Sequence, residues 1–200
     1  MRALCLILIA LLSGCRSSAP TPPDLATADG GQRALERAIH EEVNRVRQSH
    51  GLPPYRWSGA LNRLAQLHSA DMARRDYFDH VTPEGHTVQH RADRLGLATH
   101  RSAGVSQAYG LGENLFYAHR YHRIRTVTDE NGTRRSTDWK TLAEMARESV
   151  DGWMTSPGHR SNLLHRGFRE HGIGAAFDGQ QRVFITQNLT TDPVAPRRDR

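Results

Sequence analysis

Cysteine is nearly absent. The 200-residue chain has two, Cys5 and Cys15, so residues 16–200 form no disulfide, offer no thiolate to a metal and hold no cysteine nucleophile. Stability must come from burial, and the length suits one domain once a linker is set aside. Long apolar runs are also scarce. Residues 3–12 are uncharged and apolar, but ten residues are roughly half the ~20 that a helix needs to cross a bilayer. Aromatics make up only 6%, and Lys plus Arg (27) exceed Asp plus Glu (21) to give a formal charge of +6. Those cations are scattered among acids, with no aromatic-studded basic stripe, so nucleic acid is excluded as the expected partner. The excess reads as solvated surface charge, or as an exterior suited to anionic lipid or polysaccharide near an envelope. There is no internal repeat, no nucleophile elbow, no His-Glu-x-x-His helix and no phosphate-cradling glycine loop.

What is present begins with Arg2 followed by that apolar run, a signal-peptide pattern. It closes on Leu12-Ser13-Gly14-Cys15, which resembles the bacterial lipobox, where the cysteine is diacylated and becomes the first mature residue. The resemblance implies a signal peptide over 1–15 and an exported, palmitate-bearing lipoprotein held on a membrane through Cys15. Acyl chains at on the order of 0.8 kcal/mol per CH₂ hold such a chain firmly. Arg16, where aspartate retains enteric lipoproteins at the inner membrane, implies delivery to the outer membrane in a cell with two. Residues 16–31 carry Ser17, Ser18, Pro20, Pro22 and Pro23 without apolar periodicity, as expected of a disordered tether. Residues 193–200 form a basic tail.

Between them, 32–192 reads as one folded domain. Leu35, Ala38, Ile39, Val43 and Val46 make an apolar stripe on a helix over about 33–50 that Gly51 and Pro53-Pro54 end. Ser58 is placed to cap a second helix with Leu61, Leu64, Ala65, His68 and Met72 on one face. Val88, Ala92 and Leu95 mark a short third helix. Leu142, Met145, Ala146, Ser149, Val150 and Trp153 mark a longer one, with Asp138 as its expected cap. Ile173, Ala175 and Phe177 alternate before Asp178-Gly179, and Val183, Ile185, Gln187 and Leu189 alternate after it, which predicts an antiparallel hairpin. A second hairpin, exposed and turning at Asn131-Gly132, is expected as an insertion near 118–138. Helices first and strands last point to α+β, helices packed around a small antiparallel sheet.

Three polar clusters escape the apolar pattern: Tyr77-Phe78-Asp79-His80 with Pro83-Glu84-Gly85, Gly112-Glu113-Asn114-Leu115, and Trp153-Met-Thr-Ser156-Pro157-Gly158-His159-Arg160-Ser-Asn162-Leu-Leu. In this order, with Gln187-Asn188 in the closing hairpin, they resemble the CAP superfamily of cysteine-rich secretory, antigen 5 and pathogenesis-related proteins, in its bacterial branch. The likeness covers about 33–190. It implies an α-β-α sandwich with a shallow cleft lined by His80, Glu113 and His159, where some members hold divalent cations. A second glutamate of the animal and plant branches falls at Ser156, which leaves a fourth ligand open; Glu148 is on hand, but Glu144 one turn away suggests a solvated face.

The residues themselves allow two chemistries. Ser156 as cap with Pro157 at the first helical position puts His159 in a first turn, where the helix's positive end favours a neutral imidazole. Two neutral imidazoles and a carboxylate suit zinc with open positions for water. The other reading has all three as polar pins of a loop-rich fold. Trp153, Phe78 and Tyr77 read as packing residues, and Arg160 and Asn162 as loop-fixing ones. The leading expectation is therefore a non-enzymatic, envelope-anchored CAP lipoprotein that binds a small ligand, lipid or cell-wall component in the His/Glu cleft. The alternatives are a metal-assisted hydrolase with Glu113 as general base, and an interaction module using the 118–138 hairpin.

Overall fold

The computed structural model describes residues 28–98, 110–191 and 195–196. The lipobox, Cys15, the tether up to residue 27 and most of the basic tail lie outside them. The elements in chain order are α1 (Ala28–Ser49), β1 (Arg56–Trp57), α2 (Gly59–Arg75), α3 (Val88–Arg94), β2 (Leu97–Ala98), β3 (Leu111–His119), β4 (Tyr121–Asp129), β5 (Gly132–Trp139), α4 (Leu142–Thr155), α5 (Pro157–Leu163), β6 (Glu170–Phe177), β7 (Arg182–Thr190) and β8 (Ala195–Pro196). This is the α+β class expected. The helix α1 starts inside the stretch read as tether, and Ala195–Pro196 of the tail pairs antiparallel with β2.

The central sheet runs β1-β6-β7-β3. Its three long strands are antiparallel, while the two-residue β1 joins the edge in parallel to β6, so the sheet is mixed and not purely antiparallel. Helices cover both faces. On one, the predicted α1 stripe (Leu35, Ile39, Val43, Val46) and α4 (Met145, Ala146, Val150, Trp153) pack on Ile173, Ala175, Val183 and Ile185. On the other lies α2, and β6 admits it by presenting glycine. A Cβ at Gly172 would stand 2.0 Å from the Asn62 amide nitrogen, and one at Gly174 2.1 Å from that of Gln66.

Three expected caps differ. The α4 N-cap is Thr141, whose hydroxyl accepts from the Glu144 amide while Glu144 reaches back to the Thr141 amide. Asp138 is instead drawn into β5, opposite Arg123. Ser58 and Ser156 occupy N-cap positions without a side-chain cap bond. The inserted hairpin is β4–β5, exposed along most of its length. Its base is closed by Lys140 N–H donating to the Arg120 carbonyl, and Arg120 lies 4.4 Å over the Phe177 ring.

Candidate functional site

Each predicted site residue sits on a short, braced piece of chain. Val81 N–H donates to Asp79 Oδ1, a local turn that sets His80. Glu113 lies in β3, in register with Asn188 of β7. His159 is in the first turn of α5, whose Asn162 ties it to the sheet by donating to the Glu113 carbonyl and to Asn114 Oδ1. Asn114 Nδ2 in turn donates to the His159 carbonyl.

These three residues, far apart in sequence, meet. His80 Nδ1 donates to Glu113 Oε1 at 3.0 Å, and the His80 and His159 rings lie 6.1 Å apart between centroids. Ser156 and Glu148 add no ligand. Glu148 accepts from Lys140 Nζ at 2.6 Å, away on α4.

Glu113 is the inner member. Its side chain is 4% exposed, and besides His80 its carboxylate accepts from Arg91 Nη2 at 2.5 Å and Asn188 Nδ2 at 2.9 Å, both on Oε2. Burial pushes this carboxyl upward, yet the His80 hydrogen bond, the Arg91 charge and the Asn188 amide together hold it below the ordinary glutamate range. Both oxygens are thus engaged and the group stays ionised. A carboxylate in that condition orients and charges its imidazole partner, as an outer-sphere carboxylate does for a histidine.

The two imidazoles are tuned apart. His80 is raised, chiefly by its bond to Glu113, against the opposing effect of burial. His159 is lowered by burial and by the neighbouring His80. The neutral His159 expected from the helix end is present, but burial and His80 are its causes. Because His80 is raised, the stability it adds is complete below its ordinary 6.5 and is lost as pH rises through its folded value. Histidine titrations followed by NMR should place His80 above and His159 below 6.5, with Glu113→Gln moving His80 downward. Coincident midpoints for both rings would refute this pairing.

A three-ligand zinc centre does not fit this arrangement, since Glu113 is held by three donors. Among the described residues no three His, Cys, Asp or Glu side chains are grouped to hold a metal ion.

Sequence reasoning missed what holds the cleft. Arg91, on α3, also donates from Nη1 to the His80 and His86 carbonyls, so one guanidinium fixes both His80 and Glu113. On the other face of the sheet a buried chain runs in one direction. Asn162 Nδ2 donates to Asn114 Oδ1, Asn114 Nδ2 to Gln187 Oε1 at 2.8 Å, and Gln187 Nε2 to His171 Nδ1 at 2.9 Å. That leaves His171 Nε2 to donate to His40 Nδ1 at 2.6 Å. Full burial holds His171 well below its ordinary value, so its ring is neutral. The Gln187-Asn188 pair was the available signal, two amides in a strand buried over most of its length. Trp153 is fully buried and donates to the Leu115 carbonyl, as a packing residue should. Phe78 is not filler: it is 47% exposed and pairs with Tyr117 beside the cleft, ring centroids 5.7 Å apart.

The model of the cysteine-rich secretory protein family, CAP, matches residues 40–189. The uncharacterized protein YkwD of Bacillus subtilis is 29% identical over 153 residues, 76% of this chain and 47% of YkwD. The uncharacterized membrane protein YlbC of the same organism is 25% identical over 79% of this chain and 35% of its own length, so the chain spans less than half of these curated relatives. Among solved structures, an extracellular protein containing an SCP domain from Bacillus anthracis is similar at 25% identity and TM-score 0.57, over 88% of this chain and 45% of that one.

Proposed function

This chain belongs to the cysteine-rich secretory protein (CAP) family, and on that footing we propose that it is an extracytoplasmic binding module, anchored to the envelope through Cys15, whose His80/His159 cleft holds a small ligand, lipid or cell-wall component without turning it over. The observation that carries the reading is the state of Glu113. A general base must reach the proton it abstracts and have a pKa near the working pH. This carboxylate has both oxygens bonded, is 4% exposed and is held below the ordinary range. Metal-assisted hydrolysis through Glu113 would have to break those bonds first. His80 is half exposed, and with Nδ1 on Glu113 its Nε2 is left for a ligand. The raised His80 can donate a charged hydrogen bond and the neutral His159 can accept one, a pair suited to a ligand bearing both an anionic and a hydroxyl or amide group.

Two measurements test this. Native mass spectrometry of the purified lipid-free protein, mixed with envelope lipids and muropeptides, should find a retained species that His80→Ala and His159→Ala each lose. Turnover of any of these compounds that Glu113→Gln abolishes would replace the reading with an enzymatic one. For the anchor, whose support is the Leu-Ser-Gly-Cys run and an extracellular relative, Cys15→Ser should move the protein from the membrane fraction to the soluble one. Among the described residues no helix is long and apolar enough to cross a membrane. A variant still sedimenting with membranes after a salt wash would argue against lipidation.

A further inference from the structure

Of the six large apolar side chains exposed among the described residues, Phe78 and Val81 flank His80 in the chain and Tyr117 pairs with Phe78. From Phe78 a row of rings leaves the cleft along β3, the outer strand of the central sheet. Tyr117 and His119 alternate on the side of β3 that carries Glu113, and Tyr121 follows as the chain enters the hairpin. Successive ring centroids lie 5.7, 6.1 and 5.0 Å apart, with planes tilted by 44°, 59° and 32°. Rings tilted in this way do not cover one another as a flat stack would. Phe78 is 47% and Tyr117 40% exposed, His119 is exposed and Tyr121 is half-buried. Apolar residues scattered singly are ordinary surface, whereas a contiguous row marks a place of contact.

The polar edges of these rings are uncommitted as well. Beyond their ring contacts, Tyr117, His119 and Tyr121 make no side-chain hydrogen bond among the described residues, which leaves two hydroxyls and an imidazole to be met. An acyl chain laid along the row would cover those groups without satisfying them. It would also stay half in water, because an open strand edge is not the enclosed pocket that buries an apolar ligand. A pyranose ring suits both features: its C–H face packs on the negative face of an aromatic ring, while its hydroxyls reach phenol and imidazole edges.

We infer that the ligand is a glycan strand, with an N-acetylated, carboxylate-bearing sugar at His80 and His159 and the sugars that follow lying along Phe78, Tyr117, His119 and Tyr121. The inference rests on the cleft being a binding site, and it selects which class of ligand fills it. The two imidazoles suit an anionic group beside a hydroxyl or amide, and a sugar bearing a carboxylate and an acetamido group supplies both. The row begins two residues from His80, so one strand can occupy the cleft and the row together.

Isothermal titration calorimetry of the purified lipid-free protein tests this with peptidoglycan glycan strands freed of their peptides, as a disaccharide and as an octasaccharide. Affinity should rise at least tenfold from the shorter probe to the longer, as each added aromatic contact strengthens binding. Tyr117→Leu, which keeps apolar bulk against Phe184, and His119→Ala, at an exposed position, should each weaken the octasaccharide about tenfold and leave the disaccharide unchanged. His80→Ala should weaken both probes, with circular dichroism confirming that all three variants are folded. Disaccharide binding that needs His80 but shows no gain with length and no effect of the two ring variants would overturn the row and leave the cleft as a binding site. Retention of a lipid with no binding of either glycan would overturn it equally, and so would binding that appears only when the stem peptide is left attached. Failure to retain any envelope compound would remove the cleft as well.

Discussion

Replacing Gly174 with alanine should lower the unfolding free energy by about 3 kcal/mol, the upper part of the range for overpacked cores. The added carbon would lie 2.1 Å from the Gln66 nitrogen and 2.2 Å from the Ala65 carbonyl carbon. Both are backbone atoms inside a 17-residue helix, so no rotamer change relieves the contact, and α2 must lift from β6 as a unit. Lifting also strains the bonds that Ser69 Oγ donates to the Gly174 carbonyl and to Thr186 Oγ1. For a domain of this size each kcal/mol is worth roughly 2–4 °C in Tm, so calorimetry should register a drop of about 6–12 °C. Gly179, whose added carbon meets nothing within 4 Å, is the internal control, and its alanine variant should move Tm by no more than about 2 °C. Equal effects at both positions would show that close helix–sheet approach is not what glycine serves in β6.

Arg91→Met should cost about 3 kcal/mol at about pH 7, because it strands a buried carboxylate beside a partner of the wrong kind. The pH dependence gives the stronger test. In the native protein the folded Glu113 pKa lies below 4.5, so its stabilisation is present above 4.5 and is lost as pH falls through the folded value. Without the guanidinium one of the groups opposing burial is gone, so the folded pKa moves up towards the unfolded one and the pH slope flattens. The gap between the two proteins should then be widest near neutrality and narrow towards about pH 4. Arg91→Lys keeps the charge but not the fork that also holds the His80 and His86 carbonyls, and should recover part of the loss. Parallel stability curves for the native protein and the Arg91→Met variant from about pH 4 to neutrality would remove Arg91 as the source of the low Glu113 pKa.

The helices were legible because their apolar residues recur at the helical period: Leu35, Ile39 and Val43 are all fully buried. The hairpin of β6 and β7 was legible from alternation and the Asp178-Gly179 turn. The meeting of His80, Glu113 and His159 followed from the ordered motifs and not from any periodicity. The strand β3 was missed because Gly112-Glu113-Asn114 buries polar residues on both faces of the sheet, which erases the polar/apolar alternation a half-buried strand displays. The α4 cap was misplaced for a related reason. Asp138 and Thr141 are both good caps, and only the pairing of β5 with β4 shows that the former is spent on a strand. The role assigned to Glu113 changed most, since two of its three donors, Arg91 and Asn188, come from α3 and β7, at distances along the chain that no local pattern encodes.

In β3, Glu113 stands opposite Asn188 and Asn114 opposite Gln187, the first pair turned towards α2 and the second towards α1 and α4. The strand β7 is buried on both sides over nearly its whole length, so greasy residues alone would tolerate these two strands sliding past each other by one position. Such a slide would exchange the sides and strand a carboxylate among the aliphatic packing of α4. The two amide-bearing neighbours therefore fix the register of β3 against β7, because a pairing one residue out leaves the carboxylate and both amides without their partners.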